Sequence, residues 1–178
     1  MRHWLSLLLL LAMPAAYATG KDYLTFDNTA YLHRWSYSGQ HEFTPSGQEN
    51  LEKWSDMITL QRYDKVNSLE RLTIAANTVL EAYRKAGATI LKVESQPAAN
   101  DRPPEFLLVA VIPQSDMLEA VFSRFRLVNG VGTSTLYSHR LYGHDINDNM
   151  ITWLKQNMDS RARLLMAWQP DTQAYQDR

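Results

Sequence analysis

The run Phe106-Leu107-Leu108-Val109-Ala110-Val111-Ile112 limits what this chain can become more than any other segment. It is seven apolar residues with no polar member, and it follows Pro97 to Pro104 (PAANDRPP), an aperiodic stretch with three prolines that reads as an exposed loop. Successive strand side chains point to opposite faces, so a strand with no polar residue has no face to offer to water. The run therefore predicts a strand buried on both faces, central in its sheet.

The elements around it fit a sheet with helices on it. Ser68 to Ala86 predicts a helix, because Leu69, Leu72, Ala76, Val79, Leu80 and Tyr83 recur at three- and four-residue steps while Arg71, Asn77, Glu81 and Arg84 take the opposite side. Asn67 is the predicted N-cap, Glu70 completes a capping box, and Gly87 closes the last turn. Asp145 to Trp168 predicts a second helix with Ile151, Leu154, Met158, Ala162 and Leu165 as its buried stripe, Asp145 and Asp148 at its N-terminus, Arg161 and Arg163 toward the other end, and Pro170 as its stop.

Strands are predicted at Tyr23 to Phe26, Tyr31 to Tyr37, Glu42 to Thr44, Ser55 to Tyr63 and Ala88 to Ser95, with one helical turn over Gln48 to Trp54. Leu118 to Val128 and Thr133 to Tyr142 flank Asn129-Gly130-Val131-Gly132 and predict a hairpin.

The N-terminus carries a different signal. Arg2 precedes an apolar core over Leu7 to Leu11, and Ala16-Tyr17-Ala18 supplies the small residues that signal peptidase accepts, so residues 1–18 read as a signal peptide cleaved after Ala18. That core is far shorter than the ~20 residues a spanning helix requires, and no apolar segment of spanning length follows. The expected product is soluble, without stable membrane insertion, and exported to a periplasm. The sequence has no cysteine, which excludes disulfides, thiolate metal sites, a thiol nucleophile and a lipid-modified cysteine. The domain must then rest on its core, as a chain of roughly 150 residues can. Net charge is −1, with Lys and Arg scattered among acids, so there is no basic stripe for nucleic acid or a membrane surface.

Strands, helix, four strands, helix, following an export signal, is an order that resembles the periplasmic α+β proteins of the PsbP and DcrB type over residues 22 to 168. The resemblance implies an α+β single domain over residues 19–170 with two main helices packed on a curved antiparallel sheet, and a polar tail over 171–178. It also implies an accessory or binding role and carries over no site residues.

Motifs for chemistry are sparse. G-x-S-x-G is absent, Ser46 in TPSGQ and Ser134 in GTST being the nearest serines, and none of the seven glycines sits in a phosphate-binding loop. His33, His41, His139 and His144 include no pair four apart, so neither a metal site nor a cofactor is expected. One constellation stands out in the hairpin. Arg124 and Arg126 share a strand face, as do Tyr137 and His139, and pairing Val128 with Thr133 would bring the four together as a site for an anion or acidic partner. A one-residue slip would instead turn the arginines to solvent. Trp35, Tyr37, Phe43 and Trp54 cluster near the TPSGQ loop, either as core beneath it or as an aromatic anchor for a partner.

These readings favour a non-catalytic periplasmic protein that binds another envelope or secreted protein, as an accessory factor or as a toxin-neutralising immunity protein. The alternatives are a carrier of a small apolar ligand, held between the sheet faces of Phe106 to Ile112 and Leu118 to Val128 and one helix, and a small hydrolase using His139 or His41.

Overall fold

The structure, a computed structural model, describes residues 23–99 and 103–171. The expected signal peptide, residues 100–102 of the expected loop and residues 172–178 of the expected tail lie outside them. Ten elements follow one another: β1 (Tyr23–Phe26), β2 (Thr29–Tyr37), β3 (Gln40–Pro45), β4 (Asp56–Tyr63), α1 (Leu69–Lys85), β5 (Thr89–Gln96), β6 (Glu105–Pro113), β7 (Met117–Val128), β8 (Val131–Tyr142) and α2 (Ile146–Ala167).

Three hairpins turn on two residues each, Asp27-Asn28, Ser38-Gly39 and Asn129-Gly130, and all six have positive φ. That backbone matches the right-handed twist of paired strands, and it is why Gly, Asn and Asp occupy five of the six places, Ser38 being the other. The last turn sets Val128 opposite Val131, so the hairpin registers two residues away from the Val128–Thr133 pairing. Gly132 is not a turn residue at all. It lets Val66 approach, and its N–H donates to Val66 O at 2.6 Å.

All strand pairs are antiparallel, and the sheet runs in the order β1-β2-β3-β4-β8-β7-β6-β5. The curved sheet expected from the sequence is therefore corrected: the eight strands form one open sheet with β1 and β5 at its edges. The reason lies in the all-apolar β6. Leu108, Ala110 and Ile112 pack with Leu72, Ala76, Leu80 and Tyr83 of α1, whereas Leu107 and Val109 pack with Met150, Ala162 and Leu165 of α2. One helix lies on each face. A sheet with a core on both sides has no single core to curl around.

Local expectations shift at several ends. Ser68, not Asn67, is the N-cap of α1 and accepts from the Arg71 N–H, so Glu70 does not complete a capping box. Gly87 has the predicted left-handed φ of 78°. Leu69 is exposed, at the open end of the α1 stripe. In α2 the buried stripe begins at Met150, and Ile151 faces solvent. Gln48 to Trp54 forms no helical turn. A β-turn stands there, with Lys53 N–H donating to Asn50 O, because Gln48 spends its side chain on the Ser55 and Asp56 N–H groups.

Candidate functional site

Alternation along β7 and β8 puts Arg124, Arg126, Tyr137 and His139 on one face, the side covered by α2. The register then separates them: Arg124 and Arg126 lie opposite Thr135 and Thr133, while Tyr137 and His139 lie opposite Phe122 and Ala120. The two pairs have different work.

Arg124 is 2% exposed and grips Glu105 with two parallel bonds, Nε to Oε2 at 2.8 Å and Nη2 to Oε1 at 2.7 Å. Its Nη1 donates to the carbonyls of Leu165 and Trp168 at 3.1 and 2.5 Å. The last turn of α2 contains no basic residue of its own. Arg124 thus supplies, from the sheet, the positive charge and donors that a helix C-terminus needs. Arg126 donates to Gln169 just beyond it. These arginines anchor α2 and are occupied inside the protein.

Tyr137 and His139 meet on Asp56, which pairs with His139 across β4 and β8. Tyr137 donates its hydroxyl to Asp56 Oδ1 at 2.7 Å, and His139 Nδ1 lies 3.1 Å from the same oxygen. Burial works against the Asp56 charge, but the bonds from His139 and Tyr137 and the charges of His139 and Arg161 outweigh it and hold the carboxyl below its usual range. Burial first, and then the Asp56 charge, push the Tyr137 phenol far up, so its proton stays in the bond. Trp153 of α2 stacks on the His139 ring at 4.1 Å, and Arg161 of α2 pairs with Asp27 while lying over Tyr137. This is an Asp–His pair with a tyrosine hydroxyl beside it.

The other side of the sheet differs from strand to strand. α1 packs on β5, β6 and β7, and among the described residues no helix packs on the same side of β1 to β3. Trp35 and Tyr37 point there, opposite Glu42 and Gln40, with their rings 6.1 Å apart. Tyr37 is 72% exposed, and Tyr23 of β1 is exposed on the same side. Trp54 is buried instead. Its indole lies over the Arg140 guanidinium at 3.8 Å, and Arg140 pairs with Glu119 at 2.9 Å. Phe43 is buried on the α2 side. The aromatic cluster thus splits into core (Phe43, Trp54) and surface (Trp35, Tyr37).

Glu42 sits in this polar layer, 2% exposed, accepting from Gln40 at 2.8 Å. Burial raises its carboxyl to about 7, against the bond from Gln40 and the charge of Arg140, with the Glu119 charge adding to the rise.

Of the remaining histidines, two are neighbours and one stands apart. His33 Nε2 and His41 Nδ1 each lie 2.6 Å from Ser36 Oγ, and His144 borders a surface cavity of about 450 Å³ with Glu52, Lys53, Asp116 and Tyr142. Among the described residues no group of three or more His, Cys, Asp or Glu is placed to hold a metal ion. Where an apolar ligand would have sat, the faces of β6 and β7 are filled by helix side chains.

Asp56, Trp153, Glu42 and Arg140 were not visible as site residues in the sequence. Asp56 and Glu42 sit among alternating polar positions like any surface acid, and only the pairing of β4 with β8, some eighty positions apart, gives Asp56 its partners.

Fold and side-chain layout define a single-domain α+β protein with an open antiparallel sheet between two helices. A family model matches residues 19–169, and the chain belongs to that family. Comparison with curated proteins gave no match. Among solved structures the chain is similar to the Ran-binding protein Mog1p of Saccharomyces cerevisiae, at 11% identity and a TM-score of 0.45, over 78% of this chain and 84% of that one.

Proposed function

We propose that this is an exported, non-catalytic protein that works by binding another protein through the helix-free side of β1 to β3. One observation carries the reading: Trp35 and Tyr37 stand side by side on that face, and Tyr37 is 72% exposed. Tyr and Trp dominate interface hot spots because they bury large rigid areas at little entropic cost. Of the arginine face, the other candidate site in the sequence, Arg124 is taken up by Glu105 and the end of α2 and Arg126 donates to Gln169, which leaves the aromatic face as the better place for a partner. The export half of the proposal rests on the leader ending in Ala16-Tyr17-Ala18. A periplasmic accessory factor or a toxin-neutralising immunity protein would both use such a surface.

The test places a photo-crosslinking amino acid at position 37, with a control at Glu81 on the outer side of α1, in cells of the native host. The expected result is a discrete crosslinked product from position 37, absent from position 81 and lost with Trp35→Ala. Equal labelling from both positions, or none from 37, overturns the surface. N-terminal sequencing of the mature chain checks export, and any start other than Thr19 or its neighbours counts against it.

A further inference from the structure

Strand β5 closes the sheet on the side opposite β1, and among the described residues it has β6 on one flank and no strand on the other. It is eight residues long, and it carries Val93, 58% exposed, and Leu91, 38% exposed. A bulge between Ile90 and Lys92 blunts one end of this edge, and the regular stretch from Lys92 to Gln96 still presents N–H and C=O groups as a template for another strand. The pairing with β6 fixes which way each side chain points. Lys92 and Glu94 pair with Val109 and Leu107 and so face the α2 side, whereas Val93 pairs with Leu108 and faces the α1 side.

We propose that the β5 edge is a self-association surface, on which β5 of a second copy of this chain adds antiparallel about a two-fold axis at Val93. The charges point to a second copy in particular. With the axis at Val93, residue 92 of one chain lies opposite residue 94 of the other, twice. Lys92 then faces Glu94 of the second copy on the α2 side, in both directions, and the two valines meet each other on the α1 side. Directly opposed unlike charges and β-branched pairs are the cross-strand contacts that favour pairing, and an isologous interface requires this kind of self-complementarity. Within one chain Lys92 Nζ and Glu94 Oε2 lie 3.0 Å apart with each side chain 37% exposed, so both remain able to reach across. Beside them a groove of about 300 Å³ runs between β5 and α2, with Asp159 and Arg163 on its helix wall, a second acid and base along the same edge.

The surface lies at the opposite edge of the sheet from Trp35 and Tyr37, so it neither requires nor excludes the partner-binding face. An edge-to-edge contact is small beside the roughly 1,200–2,000 Å² of a standard interface, so the dimer should be weak and form only as concentration rises.

Sedimentation equilibrium on the purified chain, across roughly 1 to 500 μM, tests it with two charge reversals. Wild type should pass from monomer to dimer over that range. Lys92→Glu and Glu94→Lys should each be monomeric, since each sets like charges opposite one another. An equimolar mixture of the two variants should regain the dimer, because one chain then presents two acids at positions 92 and 94 to the two bases that the other presents there. Unchanged far-ultraviolet circular dichroism and melting of each variant confirm that the fold is intact. A wild type that stays monomeric throughout overturns the proposal, as do single reversals that dimerise normally and a mixture that does not associate. Of these outcomes, a monomeric wild type would leave the edge to a foreign strand.

Discussion

Glu42 shows how one residue couples the fold to pH. Its carboxyl is held at about 7 in the folded chain and relaxes to its ordinary 4.5 when burial is lost, so the folded state keeps a proton that the unfolded state releases between these values. The sign follows: the stability tied to this proton is complete below about pH 4.5 and is lost as pH rises through about 7. Glu42→Gln, which keeps the shape and removes the charge, should stabilise the protein by on the order of 2–3 kcal/mol at about pH 8 and change little at about pH 4. Urea denaturation at the two pH values checks this, and an equal effect at both would show that Glu42 ionisation is not the cause. The sequence could not single out Glu42, because an acid among polar neighbours looks like a surface acid until its cross-strand partners are known. It did single out Arg124, Arg126, Tyr137 and His139, and alternation put each pair on one face of its strand, while the register that decides whether the four share a side stayed open. What each would touch was beyond it, since Glu105, Asp56 and the end of α2 reach them only through pairings and packing distant in sequence.

At the scale of elements, the β7–β8 hairpin depends on Gly132 for a reason unrelated to its turn. A Cβ there would run into Val66 Cγ1 first and lie 2.6 Å from Val66 Cβ, and the connection from β4 to α1 passes at that point. Gly132→Ala should destabilise by about 1–3 kcal/mol through forced displacement, and Val66→Ala in the same chain should recover part of the loss. Thermal melts of the two single variants and the double variant measure the coupling, and simple additivity would show that the contact is not the source. Elements with local signatures were legible. The α1 stripe, its Gly87 stop and the Asn129-Gly130 turn are dictated by residues within a few positions of each other. Choices among near-equal neighbours were not. Ser68 took the cap from Asn67, and Met150 took the core position expected of Ile151, because the angle at which a helix meets the sheet selects among adjacent apolar residues.

For the molecule as a whole, the two helices stabilise one sheet from opposite faces. Leu72 of α1 and Leu165 of α2 are both fully buried, in separate clusters with the sheet between them. Each Leu→Ala substitution should cost about 2–5 kcal/mol, and the double variant should cost the sum to within about 0.5 kcal/mol, because cavities in separate layers share no contacts. Chemical denaturation of the three variants tests this, and strong coupling would mean that the layers pack as one core. The sequence by itself determined that two helices and a largely antiparallel set of strands exist, and that Phe106 to Ile112 is buried on both faces, because these follow from periodicity and turn chemistry within short windows. It did not determine that β8 pairs with β4 or that the helices lie on opposite faces, nor that the sheet therefore stays open where a curved one was expected. Those outcomes compare the burial of whole faces against one another, a competition settled only when all the layers assemble. The same competition buried Arg124 under α2 and left Tyr37 in the open.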